Sequence, residues 1–385
     1  MTLTQHPHRR QVLLQSGLLA AGALLATTSS SWAQSEKKAS TARPVVIAQI
    51  VDASPAQQDV SKDFLIGARA AWQDINLKGG IRGRKVFHLA LETDGSAGSV
   101  KQALDTAVDH VDCVAISGSA GHRVAAQLLD ASRAGSANLA HVAPWLQGAN
   151  TKLDDKTFAI FTPREAQIAY AIKTLSVMGL KELGAVYGSA QDFNAYHHDI
   201  EQIAATLQLR LYPFQAGAGL RQLGEKMTAS TPGVLLFLGG TPELADFTQG
   251  LEQQGRQRYV VAMSDVNLQT LKDMGAARGT PIIATQPVPL ATAALPLVRG
   301  YRETLARLFD EPPTALSLAG FIAARFTYEV LNSVDAPLTR YNALAAFQKR
   351  SAYDLGGFQV NFDAQGRNCN FVTQSMLGRD GRLIG

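Results

Sequence analysis

The chain has 385 residues, 46% of them apolar and 18% charged, with 36 basic against 32 acidic side chains. That length exceeds what one hydrophobic core usually fills, so two domains are expected. The formal charge of +4 is scattered rather than gathered into a stripe, and no basic run is interleaved with aromatics, which argues against nucleic-acid binding.

At the N-terminus, Arg9 and Arg10 precede an apolar stretch rich in Ala, Leu and Gly, and Ser31-Trp32-Ala33 supplies a small-x-small pattern. A basic region, a short apolar run and small residues at its end describe a signal peptide over 1–33, cleaved after Ala33. The arginine pair and the mild apolar run, interrupted by Gln15 and Ser16, suggest twin-arginine export to the periplasm. Removing this segment takes two arginines and no acid, leaving 34 basic against 32 acidic residues. Past it, no apolar run is long enough to span a membrane. Residues 34–42 read as a flexible leader.

From Arg43, short apolar runs alternate with amphipathic ones. Residues 44–50 form a buried parallel strand, apolar on both faces. A helix over 63–77 follows from Phe64, Ile66, Ala70, Ala71 and Ile75 at helical spacing, and Lys78-Gly79-Gly80 stops it. A strand at 86–92, a helix at 99–110, a strand at 111–116 and a helix at 122–132 continue the pattern. The rhythm restarts with helices near 165–178, 194–207 and 242–254 and strands near 184–188, 234–238 and 259–263. The rest holds a strand at 282–285, helices at 295–309, 317–331 and 342–349, and strand-like pieces at 357–363 and 370–377. Repeated β-α units indicate an α/β fold with two Rossmann-like lobes built on parallel sheets. Ligands bind such sheets beyond the carboxyl ends of the strands.

Enzyme chemistry finds little support. No G-x-G-x-x-G follows the first strand, so no dinucleotide cofactor is expected. G-x-S-x-G is absent. His197 and His198 point about 100° apart on a helix and lack a companion cluster, so no metal is expected either. Of the two cysteines, Cys113 sits in an apolar strand; a buried free thiol is favoured over a disulfide to Cys369, which an oxidising compartment would permit.

The run Gly67-Ala68-Arg69-Ala70-Ala71-Trp72-Gln73-Asp74-Ile75-Asn76-Leu77-Lys78-Gly79-Gly80-Ile81-Arg82-Gly83-Arg84-Lys85, continuing to Glu92-Thr93-Asp94-Gly95, resembles the leucine/isoleucine/valine-binding family, the type I periplasmic solute-binding proteins of ABC transporters. The run itself is scaffold. The resemblance covers nearly all of the chain after the leader and implies two lobes joined by three crossing strands, near 161–164, 283–286 and 370–372, that close on a ligand by a hinge. The implied N-terminal lobe is 43–162 with 286–370; the C-terminal lobe is 163–285 with 371–385.

The resemblance also implies where the ligand sits. Ser119 and Ala120, in the loop after the Cys113 strand, match the position where a hydroxyl and backbone N–H groups hold a carboxylate beside a helix N-terminus; a plain Ser N-cap is the alternative. Trp145 and Gln147 take two lining positions, and Trp145 puts a large aromatic where relatives have a small residue. It is either a wall against the ligand or a packing residue. In the second lobe Phe193 matches an aromatic lid, with core packing as its alternative, and Thr241 lies in a contact loop. Asp265 stands near the acid that pairs an amino acid's α-ammonium, unless it caps a helix. Asp59 occupies a position that contacts ligand in some relatives, against a solvated loop aspartate. The expectation is a monomeric, non-enzymatic protein that binds a small polar solute (an amino acid, an amide or a carboxylated or aromatic metabolite) and delivers it to an ABC permease. A soluble sensor of the same fold is the competing class.

Overall fold

The computed structural model describes residues 43–385 apart from 136–137, 149–151, 218, 253, 276–278, 365 and 369–370. The expected signal peptide, its cleavage point, the leader, Cys369 and Asn370 therefore lie outside the described residues. Among these, Cys113 is a buried free thiol.

The first part of the chain forms β1 (Val45–Asp52), α1 (Gln58–Leu77), β2 (Val86–Thr93), α2 (Ala97–Asp109), β3 (Cys113–Ser117), α3 (His122–Ala134), β4 (Ala140–Val142) and β5 (Thr157–Phe158). The second forms α4 (Arg164–Val177), β6 (Glu182–Tyr187), α5 (Ala190–Thr206), β7 (Arg210–Gln215), α6 (Leu220–Glu225), β8 (Val234–Leu238), α7 (Thr241–Leu251), β9 (Tyr259–Ala262), α8 (Leu268–Asp273) and β10 (Ile282–Gln286). Then come α9 (Pro296–Leu308), α10 (Ala315–Asn332), α11 (Arg340–Gln348), β11 (Tyr353–Asp354), β12 (Gln359–Val360), β13 (Thr373–Leu377) and β14 (Leu383–Ile384).

The first sheet has the order β2-β1-β3-β4-β5, and every pairing in it is parallel. The second runs β14-β13-β10-β9-β8-β6-β7. Its five strands from β7 to β10 are parallel and repeat the order of the first sheet, while β13 and β14 add antiparallel. Both strand orders reverse direction once, so each sheet has a switch point where the loops at the carboxyl ends part.

The apolar strands explain themselves by what covers them. On β1, Val45, Ile47 and Val51 enter a core with α1, α9 and α10, whereas Val46, Ala48 and Ile50 enter one with α2 and α3. On β8, Leu235 and Phe237 face α7 while Leu236 and Leu238 face α4 and α5. A sheet with helices on both faces needs apolar side chains at every step, so the strands lack an alternating pattern.

Three expectations shift. Helix α1 starts at Gln58, not at 63, because its polar first turn faces the opposite lobe and has no apolar periodicity to reveal it. Residues 282–286 are β10 itself, and the chain returns to the first lobe after Gln286. The edge strand β7 went unrecognised; it pairs only with β6 and carries Pro213, which sheets tolerate at edges. The crossing segments lie side by side: Thr162 Oγ1 donates to the Phe371 carbonyl at 2.9 Å and Thr373 Oγ1 to the Val288 carbonyl at 2.6 Å.

Helices α1 and α10 cross through two glycines. A methyl on Gly67 would overlap the Ser317 carbonyl, and one on Gly320 the Phe64 carbonyl. Gly320→Ala is expected to cost about 3 kcal/mol or more, the upper range for overpacking, because backbone rather than a side-chain tip must move. Gly300→Ala on α9, where a methyl meets nothing within 4 Å, should be neutral or gain about 0.5–1 kcal/mol. Urea unfolding midpoints compare the two; equal midpoints would show that α1 and α10 separate freely.

Candidate functional site

The carboxyl ends of the strands of both sheets meet between the lobes, and most of the residues expected to bind ligand lie there. The loop after β4 carries Trp145, which is 1% exposed. Its ring sits edge-on to Phe64 at 5.6 Å and Phe161 at 5.3 Å between centroids. Its indole Nε1–H donates across the gap to Asp265 Oδ1 at 2.9 Å. Trp145 therefore packs in the first-lobe core with its polar tip in the opposite lobe.

Asp265 follows β9 and is 6% exposed. It caps no helix; Asn267 does, accepting from the Gln269 and Thr270 N–H groups at the start of α8. The second Asp265 oxygen pairs with the guanidinium of Arg164, the first residue of α4. Burial works against the Arg164 charge, but Asp265 holds its pKa above the ordinary value. The ring of Tyr196 lies 5.3 Å from the guanidinium carbon.

Gln147 is fully buried. Its N–H donates to His122 Nδ1 at 3.1 Å, its carbonyl accepts the Arg164 N–H at 2.8 Å, and its Oε1 lies 3.3 Å from Ser264 Oγ and 3.1 Å from Gln167 Nε2. An Nδ1 that accepts a backbone N–H belongs to a neutral imidazole. Burial, then the nearby Arg164 charge, lowers the His122 pKa and keeps it so.

Ser119 is not an N-cap. Gly121 holds that position without a side-chain bond, and Ser119 Oγ lies 2.7 Å from His141 Nε2. His141 Nδ1 is buried without a partner. A buried bare nitrogen costs less than a buried unpaired N–H, so the favoured tautomer donates from Nε2 to Ser119 and leaves the serine hydroxyl proton available. Ala120 was expected to offer its N–H to a ligand. That N–H donates instead to the Ile50 carbonyl at 3.2 Å, because the segment extends the pairing with β1.

Thr241, the first residue of α7, donates to Asp59 Oδ2 at 2.6 Å and accepts the Asn267 N–H at 2.9 Å. Asp59 is thus not a solvated loop residue but stands in the first turn of α1, in contact with the other lobe. Burial raises its pKa. A second bridge runs from Asn267 Nδ2 to Asp63 Oδ2 at 2.9 Å, which also accepts from Thr314 Oγ1 at 2.6 Å. Phe193 stays apart: its ring stacks on His197 at 4.4 Å and meets Tyr187 edge-on, all within the second lobe.

Sequence reasoning missed Arg164, Gln167, His141, Asp63 and Asn267. Arg164 was the most legible, since a cation directly after Phe161-Thr162-Pro163, in a segment expected to cross between lobes, invites a buried counter-charge. Among the described residues, no group of three or more His, Cys, Asp or Glu side chains could hold a metal ion.

The family model for periplasmic binding proteins matches residues 44–377. The chain belongs to the periplasmic binding protein family. Solved structures of similar fold include an extracellular ligand-binding receptor from Verminephrobacter eiseniae, 20% identical with TM-score 0.80, covering 89% of this chain and 100% of that one. A fatty acid ABC transporter substrate-binding protein from Thermomonospora curvata is 14% identical with TM-score 0.74, covering 89% and 90%. A branched-chain amino acid transporter substrate-binding protein from Streptococcus pneumoniae, in complex with isoleucine, is 13% identical with TM-score 0.74, covering 89% and 98%. At such identities the likeness is one of fold. No curated protein matches the sequence.

Burial pushes His141 from its ordinary 6.5 down to about 4. Between those values the unfolded chain holds a proton that the folded chain refuses, so this contribution to stability is complete above pH 6.5 and is lost as the pH falls toward 4. His141→Asn removes it. The slope of unfolding free energy against pH in this window should be shallower in the variant, by about 1.4 kcal/mol per pH unit. Parallel slopes in urea titrations would mean that folded His141 protonates normally.

Proposed function

We propose that this chain is an exported substrate-binding protein that captures a small solute between its lobes and hands it to an ABC permease in the periplasm. The observation that carries this reading is the meeting of strand ends across the gap, where Trp145 bonds Asp265 and Thr241 bonds Asp59. These contacts are few and polar, joining surfaces that a hinge can part. In the proposed division, 43–162 with 287–370 moves against 163–286 with 371–385 about the three adjacent crossings. Family membership supports binding over catalysis, and where Ser119 meets His141 the favoured tautomer donates to the serine oxygen, leaving the hydroxyl as a hydrogen-bond donor. Ser119, Trp145, Gln147, Thr241, Asp265 and Asp59 are the proposed contacts. Phe193 and Ala120 carry less weight, given the partners they already have.

Calorimetric titration of the purified protein with amino acids, amides and aromatic or aliphatic acids tests the reading. Saturable binding without turnover is expected; chemistry on any of these solutes would overturn it. Tryptophan emission should change at saturation, and the change should vanish in Trp145→Phe. A silent signal would place the indole away from the ligand. Ser119→Ala should weaken a carboxylate ligand by about tenfold, the loss of one hydrogen bond to a charged group. Unchanged affinity removes Ser119 from the site.

A further inference from the structure

The acid at the end of β9 is not free to meet an ammonium group. One Asp265 oxygen accepts from Trp145 of the opposite lobe, and the other pairs with Arg164 of its own. Arg164 is fixed from several sides: its N–H by the Gln147 carbonyl, its guanidinium by Asp265 and by the Tyr196 ring and hydroxyl. A guanidinium stays charged in a protein. An ammonium brought to Asp265 would therefore stand beside a buried cation that cannot leave or lose its proton.

The same cluster has donors to spare. Arg164 Nε and Gln147 Nε2 are buried and have no partner, although their residues are only 5% and 0% exposed. Both side chains converge on the end of β9, Gln147 through Ser264 and Arg164 through Asp265. Buried donors call for an acceptor. A carboxylate is acceptor-only when ionised and takes N–H groups from a guanidinium with a gain over neutral bonds. Trp145, whose indole reaches Asp265, packs with Phe64 and Phe161 into an apolar cluster next to this group.

We propose that Arg164 determines the specificity of the cleft, blocking Asp265 to ammonium groups and offering Nε, with Gln147 Nε2, to the carboxylate of an acid that has an apolar tail and no α-amino group. This rests on the reading of the inter-lobe gap as the binding site. Arg164 touches the ligand in this scheme, and Asp265 acts on it through Arg164.

Two matched pairs test it: 4-methylpentanoate against leucine, and 3-phenylpropanoate against phenylalanine, each titrated calorimetrically into the full-length purified protein. At least one acid is expected to bind tenfold or more tightly than its amino-acid partner. Asp265→Asn removes a neighbouring negative charge and should tighten that acid by about tenfold, whereas an aspartate that paired an ammonium would leave amino-acid binding crippled on the same change. The double variant Arg164→Met with Asp265→Asn, which strands no buried charge, should lose the acid by a hundredfold or more. Circular dichroism and thermal melting confirm that each variant folds; if the double variant does not, Asp265→Asn alone decides. Leucine or phenylalanine binding as tightly as its matched acid, or acid binding lost in Asp265→Asn, overturns the specificity while leaving the cleft in place as a binding site. Silence from both acids also overturns it, and the broader panel of amino acids and amides then shows whether any solute enters the cleft.

Discussion

A carboxylate shut between two sheets has to be compensated or it will not stay charged. Asp265 is compensated twice, by Arg164 from the helix that opens the second lobe and by the Trp145 indole from the first. The arrangement links three regions remote in sequence: the loop after β4, the first crossing and the end of β9. Because one partner belongs to each lobe, the hydrogen bonding of this carboxylate and the separation of the lobes are coupled. Parting them strips Asp265 of its indole donor but leaves it neutralised by Arg164, so opening does not strand a bare charge. The ion pair is internal to one lobe and moves with it.

Around this centre the polar contacts between lobes are individually modest. Thr241–Asp59 and Asn267–Asp63 are hydrogen bonds to carboxylates that burial raises in pKa. The rigid parts lie elsewhere, in the doubly covered sheets and in the glycine-mediated crossing of α1 and α10.

The α/β rhythm and the repeated half were legible in sequence because both sheets are buried on two faces. Runs such as Val234-Leu235-Leu236-Phe237-Leu238 have no alternation to mislead and no polar residue to interrupt them. Legibility failed where an element faces something other than a core. The first turn of α1 looks like loop because Gln58, Asp59 and Lys62 face the gap, and β7 looks irregular because it is an edge with a proline. For the site, the loops at strand ends could be found from position alone, so Ser119, Trp145, Gln147, Thr241 and Asp265 were all singled out. Their partners could not. The pairing of Arg164 with Asp265 spans 101 residues, and no local pattern encodes which cation meets which acid. Likewise the helix-capping alternative for Asp265 was reasonable by residue type and failed only because Asn267, two residues on, takes that part.

The interlocking of α1 with α10 also bears on how the chain reaches this state. Asp63 on α1 bonds Thr314, which caps α10, across 251 residues, and the intervening chain contains nearly all of the other lobe. The first lobe emerges first but cannot complete its core until the second has been made. The second lobe, by contrast, has its five parallel strands and their helices in one uninterrupted stretch. Contacts between segments so distant in sequence form slowly. A ribosome-bound intermediate would therefore carry a later half lacking only β13 and β14 beside an unfinished earlier one, with the cleft among the last features to be assembled.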